Sequence, residues 1–327
     1  MTENVMRKVE LFASNKNLIH KKFVWDYHLM SVLSSMVYTM DNKEADIEAM
    51  KNSLKVLKKN TGVFSPFRSS DRLFTVSKMA LSEDPEKYIK DLVSVYGKIK
   101  KGRIVSDSFM VVAAANIVDA GRQGDADAIV AKFNRILKAM KKDHPVLTGR
   151  EDMPLAISLA MTDRSVEDIA AELEENYKIL KTCFKGNSDS VQGLAEVLTL
   201  QEGAPAQKAG KVIEIYNAFK ANHRKYSREY GLASLGALIG SIKDTDTLVK
   251  EICETERYLA SQKGMGMSIM GKSDRLMFAA LIVADCEGSV GNGMKNPIIV
   301  ETLQTIIAME VMLIVVATSA AANASSH

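Results

Sequence analysis

An acidic residue opens an apolar, helix-length segment at regular intervals along this chain. Asp26, Asp71, Asp107, Asp152, Asp189, Glu229 and Asp274 recur 36 to 45 residues apart. Each opens a mostly apolar stretch, which a short polar turn joins to an amphipathic stretch rich in lysine near its end. Asp107 leads into Phe109 to Asp119 and then Asp125 to Lys141; Asp152 leads into Pro154 to Met161 and then Ser165 to Phe184. A period of roughly 34 to 47 residues is that of stacked helical hairpins, which bury their apolar faces only against neighbouring copies. The spacing predicts an all-α fold of stacked helical-hairpin repeats, either solenoid-like or a closed α/α array. One domain over residues 1–327 would hold about seven hairpin units and a closing C-terminal helix over 297–322.

That last segment, Pro297 to Ala322, has the apolar run Ile306 to Val316 at its middle. About 20 apolar residues suffice to cross a bilayer. Glu301, Gln304 and Glu310 interrupt the run, and a charge near the centre of an inserted helix costs roughly 2.5 to 3.5 kcal/mol on insertion scales. The expectation is a helix buried against the array, with a membrane tail anchor and an oligomer-forming helix as the alternatives.

Composition agrees with helix: aromatic residues are 6% of the chain, with 6 prolines and 18 methionines. A net charge of +3 is too small to imply a polyanion partner by itself. Cys183, Cys253 and Cys286 form no C-x-x-C pair, which fits free thiols in a cytoplasmic protein. Met1 to Glu10 is polar and lacks the apolar core of a signal peptide. Helices are expected over Glu3 to Ser14, Lys21 to Thr39 and Glu44 to Lys59, and the unit after Glu229 over Gly231 to Ile239. Asp84-Pro85 and Ser165 with Asp168 are helix-start signals, and Gly62, Gly102, Gly149 and Gly186 are expected left-handed caps.

The amphipathic segments are polarised, with acids such as Asp84, Asp127, Glu167 and Asp244 in first turns and lysines in last turns. Parallel stacking would gather the latter into a basic edge: Lys100, Lys101, Lys141, Lys142, Lys181, Lys185, Arg224 and Lys225. Over about 17 helical residues the two ends stand roughly 25 Å apart, about three Debye lengths at physiological salt. The same pattern also complements the helix macrodipole, and few aromatics interleave it, which argues against nucleic acid.

Gly266 to Ser273 matches the phosphate-loop pattern G-x-x-x-x-G-K-[ST] through Gly266, Gly271, Lys272 and Ser273. That chemistry needs a strand before the loop, whereas Leu248 to Gln262 has helical periodicity. The repeat acids Asp71, Asp107, Asp152, Asp189 and Asp274 could line a central cavity as general acids and bases, or serve as helix N-caps. His20, His28, His144 and His223 form no metal-ligand spacing, and neither a metal nor another cofactor is expected.

Phe64-Ser65-Pro66-Phe67-Arg68, Val95-Tyr96 with Lys98 to Lys101, the N-x-x-x-V-Q-x-L form within Asn187 to Leu200, and Tyr230-Gly231-Leu232 carry a resemblance. Together they resemble the bacterial family catalogued as domain of unknown function 4003, across essentially the whole chain. The resemblance implies one all-helical cytosolic domain and no activity or catalytic residue. The function expected from these features is a binding or scaffold module for a protein or peptide, ahead of a cavity enzyme and a phosphate or nucleotide binder at 266–273.

Overall fold

The computed structural model describes residues 1–24, 26, 28–69, 72–103, 108–186, 188–226, 231–266 and 270–288. Helices α1 (Glu3–Lys22), α2 (His28–Met40), α3 (Ile47–Asn60), α4 (Arg72–Leu81) and α5 (Pro85–Lys100) come first. They are followed by α6 (Ser108–Asp119), α7 (Ala126–Asp143), α8 (Met153–Ala160), α9 (Val166–Cys183) and α10 (Ser188–Thr199). The last are α11 (Pro205–Ala221), α12 (Thr245–Ser261) and α13 (Lys272–Gly288), and a 3-10 segment, Ala233–Leu238, lies between α11 and α12. No strand occurs among the described residues, so the fold is all-α. The helix expected over 297–322 lies outside them.

Two layers follow from two kinds of helix. From Met30 to Met40 every residue of α2 is buried, as is every residue from Phe109 to Val118 of α6. A helix apolar all round belongs inside. In α7, by contrast, Ile129, Val130, Phe133, Ile136 and Met140 form one buried stripe. The inner layer is α2, α4, α6, α8, α10, the 233–238 segment and α13; the outer layer is α1, α3, α5, α7, α9, α11 and α12. Successive outer helices pack on each other, and α12 packs on α1, so this layer closes into a ring.

Pairs between outer helices give their direction. Lys98 meets Asp127 at 2.6 Å and Arg103 meets Asn134 at 2.7 Å, so α5 and α7 ascend together. Likewise Arg135 meets Glu167 at 3.2 Å and His144 meets Glu174 at 2.6 Å between α7 and α9. Neighbouring outer helices are thus parallel but staggered. The connections from outer to inner helices therefore share one end of the ring.

The seam joining α1 to the last helices is polar. Lys8 and Asp285, 277 residues apart, form a buried ion pair. Lys16 donates to the Gly264 carbonyl and Asn17 to the Lys263 carbonyl, both at 2.8 Å. Gly264 has φ +79°, and a Cβ there would stand 2.3 Å from Asn17 Oδ1. Only glycine lets the turn after α12 lie against those two side chains.

Several boundaries differ from the sequence expectations. Helix α1 continues past Ser14 to Lys22, because Asn15 is held by Lys43 O and the Ala45 N–H from the α2–α3 connection. The helix expected over Lys21 to Thr39 is therefore split at Phe23, which caps α1. Gly231 to Ile239 yields a 3-10 segment over 233–238 instead of an α-helix. Gly102 and Gly186 have positive φ, whereas Gly62 and Gly149 do not. At the end of α3, Arg68 reaches back to the Lys58 and Thr61 carbonyls and takes over the capping. Asp84 and Ser165 cap α5 and α9 as expected.

Lys8→Met leaves Asp285 buried without its ammonium partner and should cost about 3 to 5 kcal/mol of stability. Lys8→Met combined with Asp285→Leu should recover most of that loss, measured as the urea midpoint. Equal losses in the single and double variants would mean that the pair does not govern the seam.

Candidate functional site

Among the described residues the inner layer holds a group of buried acid and amide side chains where α8 meets α10. Asp152 stands at the N-cap position of α8 without a side-chain capping bond and is 3% exposed; its Oδ2 instead accepts the Gly149 N–H at 2.6 Å. Glu196 and Gln192, one helical turn apart on α10, are both 0% exposed and interact with Asp152. No N–H or O–H of the described protein closes a hydrogen bond of ordinary geometry on either Glu196 oxygen, and neither polar atom of Gln192 has such a partner. Two carboxyls held in contact must share a proton to avoid opposed charges.

Burial pushes Asp152 up to about 6, against the pull of the Gly149 N–H. Burial also raises Glu196 well above the ordinary carboxylate range, and Asp152 and Glu151 add to it in the same direction. Perturbed acids of this kind concentrate at functional sites because they cost stability without contributing packing. Helix α10 presents Gln192 and Glu196 at i, i+4, so both lie on the face that meets α8.

The described repeat acids do not gather: Asp189 is exposed and Asp274 accepts the Gly271 N–H at 3.2 Å, while Asp71 and Asp107 lie outside the described residues. Of Asp152, Asp189 and Asp274, Asp152 enters a buried acid group, and its partners come from the middle of α10. Sequence reasoning missed Glu196 and Gln192, although both fall within Asn187 to Leu200, the stretch that carries the N-x-x-x-V-Q-x-L form. Their only signal was a Gln and a Glu at i, i+4 on an otherwise apolar face.

The other expected residues are placed as follows. Gly266 is half-buried, Lys272 begins α13 and is exposed, and Ser273 is half-buried; residues 267–269 lie outside the described set. The element before this loop is helix α12, and Asp274 occupies the Gly271 amide that a phosphate would need. On the basic edge, Lys100, Lys101, Lys141, Lys142, Lys185 and Lys225 are exposed. Lys181 donates to Ser188 at 2.9 Å, and Arg224 turns inward to Glu256 at 3.7 Å. The expected 25 Å gap between acidic and basic ends holds only within one helix. Stagger brings Lys59 within 3.9 Å of Glu86 and Lys98 against Asp127, so adjacent helices partly neutralise each other. Cys183, Cys253 and Cys286 are free thiols.

An all-α, two-layered ring with a buried acid pair in its inner layer is the class of protein that these observations define. The chain belongs to the family described as "Protein of unknown function (DUF4003)", whose model matches residues 15–320. It is similar to the Uncharacterized protein YeaA of Bacillus subtilis (strain 168), at 22% identity over 277 residues, covering 82% of each chain. No solved structure matches it. Among the described residues no helix is long and apolar enough to cross a membrane.

The acid pair makes stability depend on pH. A raised folded-state pKa means that the folded chain holds the proton more tightly, so Asp152's contribution is complete below its ordinary value of 3.8 and is lost as pH rises to about 6. That window is worth roughly 3 kcal/mol, and Glu196 acts with the same sign. Glu196→Gln should melt a few degrees above the unmodified protein at pH 7.5, with the gap closing toward pH 4.5. A gap independent of pH would refute this assignment.

Proposed function

We propose that the protein is a binding or scaffold module that takes an acidic, partly apolar protein or peptide segment on the end of the ring where the outer helices finish. The observation that carries this reading is Phe64. Its side chain is fully exposed at 102%, beside Val63 at 73%, although its neighbour Phe67 is buried against Tyr96. Val146, 91% exposed, stands on the same end. Each follows a pair of exposed lysines, Lys58 and Lys59 or Lys141 and Lys142. The inner helices also begin at this end, which adds the positive poles of their dipoles.

Apolar side chains left in water among lysines suit a surface that carries acids and exposed apolar groups, because charge steers the encounter and the apolar contacts hold it. We read the seven helix pairs as copies of one hairpin unit. In support, the donor after one inner element recurs on the end of the next: Arg122 to Met161 O at 2.7 Å, Arg164 to Thr199 O at 2.8 Å, and Gln201 to Gly236 O at 2.6 Å. Stacked copies suit extended partner surfaces. The free thiols support a cytoplasmic setting.

The test compares capture of a salt-releasable partner by tagged unmodified protein, by Phe64→Ser and by Lys141→Glu/Lys142→Glu. Both variants should lose at least tenfold in affinity while keeping the unmodified melting curve, since the changed residues are exposed. Undiminished capture by both would end this reading. Salt-released nucleic acid, or sedimentation only with anionic vesicles, would overturn the protein-partner assignment.

A further inference from the structure

The inner helices are buried on every side. Residues 30–40 of α2, 73–79 of α4, 109–118 of α6 and 276–283 of α13 are unbroken buried stretches, each two turns or more of helix. Packing within the two layers accounts for only part of that burial. These helices pack outward on the outer layer and sideways on flanking inner elements, as α2 does on α1 and α4, α6 on α5 and α8, and α13 on α12 and the 233–238 segment. Their remaining side faces the middle of the ring, and no residue of these stretches is open to solvent there. Seven axes spaced roughly 9.5 Å apart on a circle lie about 11 Å from its centre, whereas packed helices stand about 8 to 10 Å apart. Side chains from opposite walls leave a channel between them, and that space has the width of one further helix.

We propose that the chain's own segment 297–322 crosses the middle of the ring as its central helix. A helix enclosed on all sides is apolar all round, whereas a helix on the surface needs a polar face. From Ile306 to Val316 every position except Glu310 is apolar. The run therefore matches the inner helices and has no polar face of the kind that α7 turns to water.

The path of the chain agrees. Inner helices begin at the end of the ring where outer helices finish, so α13 ends at the opposite end. Residues 289–296 follow it, with Gly291 and Gly293 among them. At roughly 3.3 Å per extended residue they span more than the about 11 Å from α13 to the centre. Asn296-Pro297 then reads as a helix start. The segment thus enters from the end away from Phe64 and runs antiparallel to α13. A filled middle leaves the ends and the outer wall of the ring for partners, and no central cavity for a substrate. This inference is independent of the docking reading, because it concerns the core, which no docking variant alters.

The test uses the full chain in lipid-free buffer. Hydrogen exchange read by mass spectrometry should place residues 306–316 within tenfold of the slow rate of 109–118. Photo-leucine incorporated in place of leucine should, on irradiation, link Leu303 and Leu313 to inner helices on opposite sides of the ring, such as α2 and α8. A mixture of isotopically labelled and unlabelled chains separates links within a chain from links between chains. Leu313→Asp should lower the melting temperature by several degrees or abolish folding. Exchange of 306–316 more than tenfold faster than 109–118, links only to outer helices or only between chains, or an unchanged melting curve for Leu313→Asp overturns the proposal. Recovery of the unmodified protein only with lipid vesicles also overturns it, and makes the segment a membrane anchor.

Discussion

The buried Lys8–Asp285 pair closes the ring, and the rest of the architecture depends on that closure. The joints between neighbouring helix pairs join elements close in sequence, through apolar faces and through pairs such as Lys78–Asp119, and an array of such joints could continue as an open solenoid. At the seam the first helix must recognise the last two across almost the whole chain. The contacts there are directional: Lys8 to Asp285, Lys16 to the Gly264 carbonyl, Asn17 to the Lys263 carbonyl and Tyr258 to Glu10. Apolar surfaces tolerate sliding, whereas buried charges accept one register, because any other leaves them uncompensated. Nearby, Arg275 meets Glu256 at 3.1 Å and Arg224 meets the same carboxylate, so the α12–α13 hairpin is fixed by the same kind of interaction.

The α8–α10 contact inverts that logic. At the seam each buried charge faces its opposite, while Asp152 faces Glu196 and is compensated by the Gly149 N–H and the Gln192 side chain. The fold had cheaper options at both positions, since the surrounding faces are Leu155, Ala195 and Val197, all fully buried. A pair of acids that weakens the folded state above pH 6 is kept for a reason other than packing.

The periodic acids and the apolar and amphipathic alternation made the helical class and most helix starts legible, because caps and hydrophobic stripes are local properties. The ends of elements were less so. Helix α1 runs on through Asn15, Lys16 and Asn17, whose side chains find partners on distant turns that no local rule anticipates. The 3-10 segment 233–238 replaces an expected α-helix in a stretch with two internal Gly–apolar steps, and Gly236 packs so close to Val197 that a Cβ there would stand 2.5 Å from it. The acid site was half visible: Asp152 belonged to the periodic series, while Glu196 looked like one more charge on a helix. Which face of α10 meets α8 is a tertiary fact. A Gln and a Glu four residues apart become a site only once that face is known to be buried.

The connection between α7 and α8 joins the two regions argued for here. Lys141 and Lys142 at the end of α7 and Val146 in the connection face solvent, Thr148 is buried, and the chain then reaches Gly149 and Asp152. A partner engaging Val146 therefore acts on the segment that sets Asp152 against Glu196. The Gly149 N–H bond to Asp152 holds that segment in place before a partner arrives, and a surface already ordered loses less conformational entropy on docking.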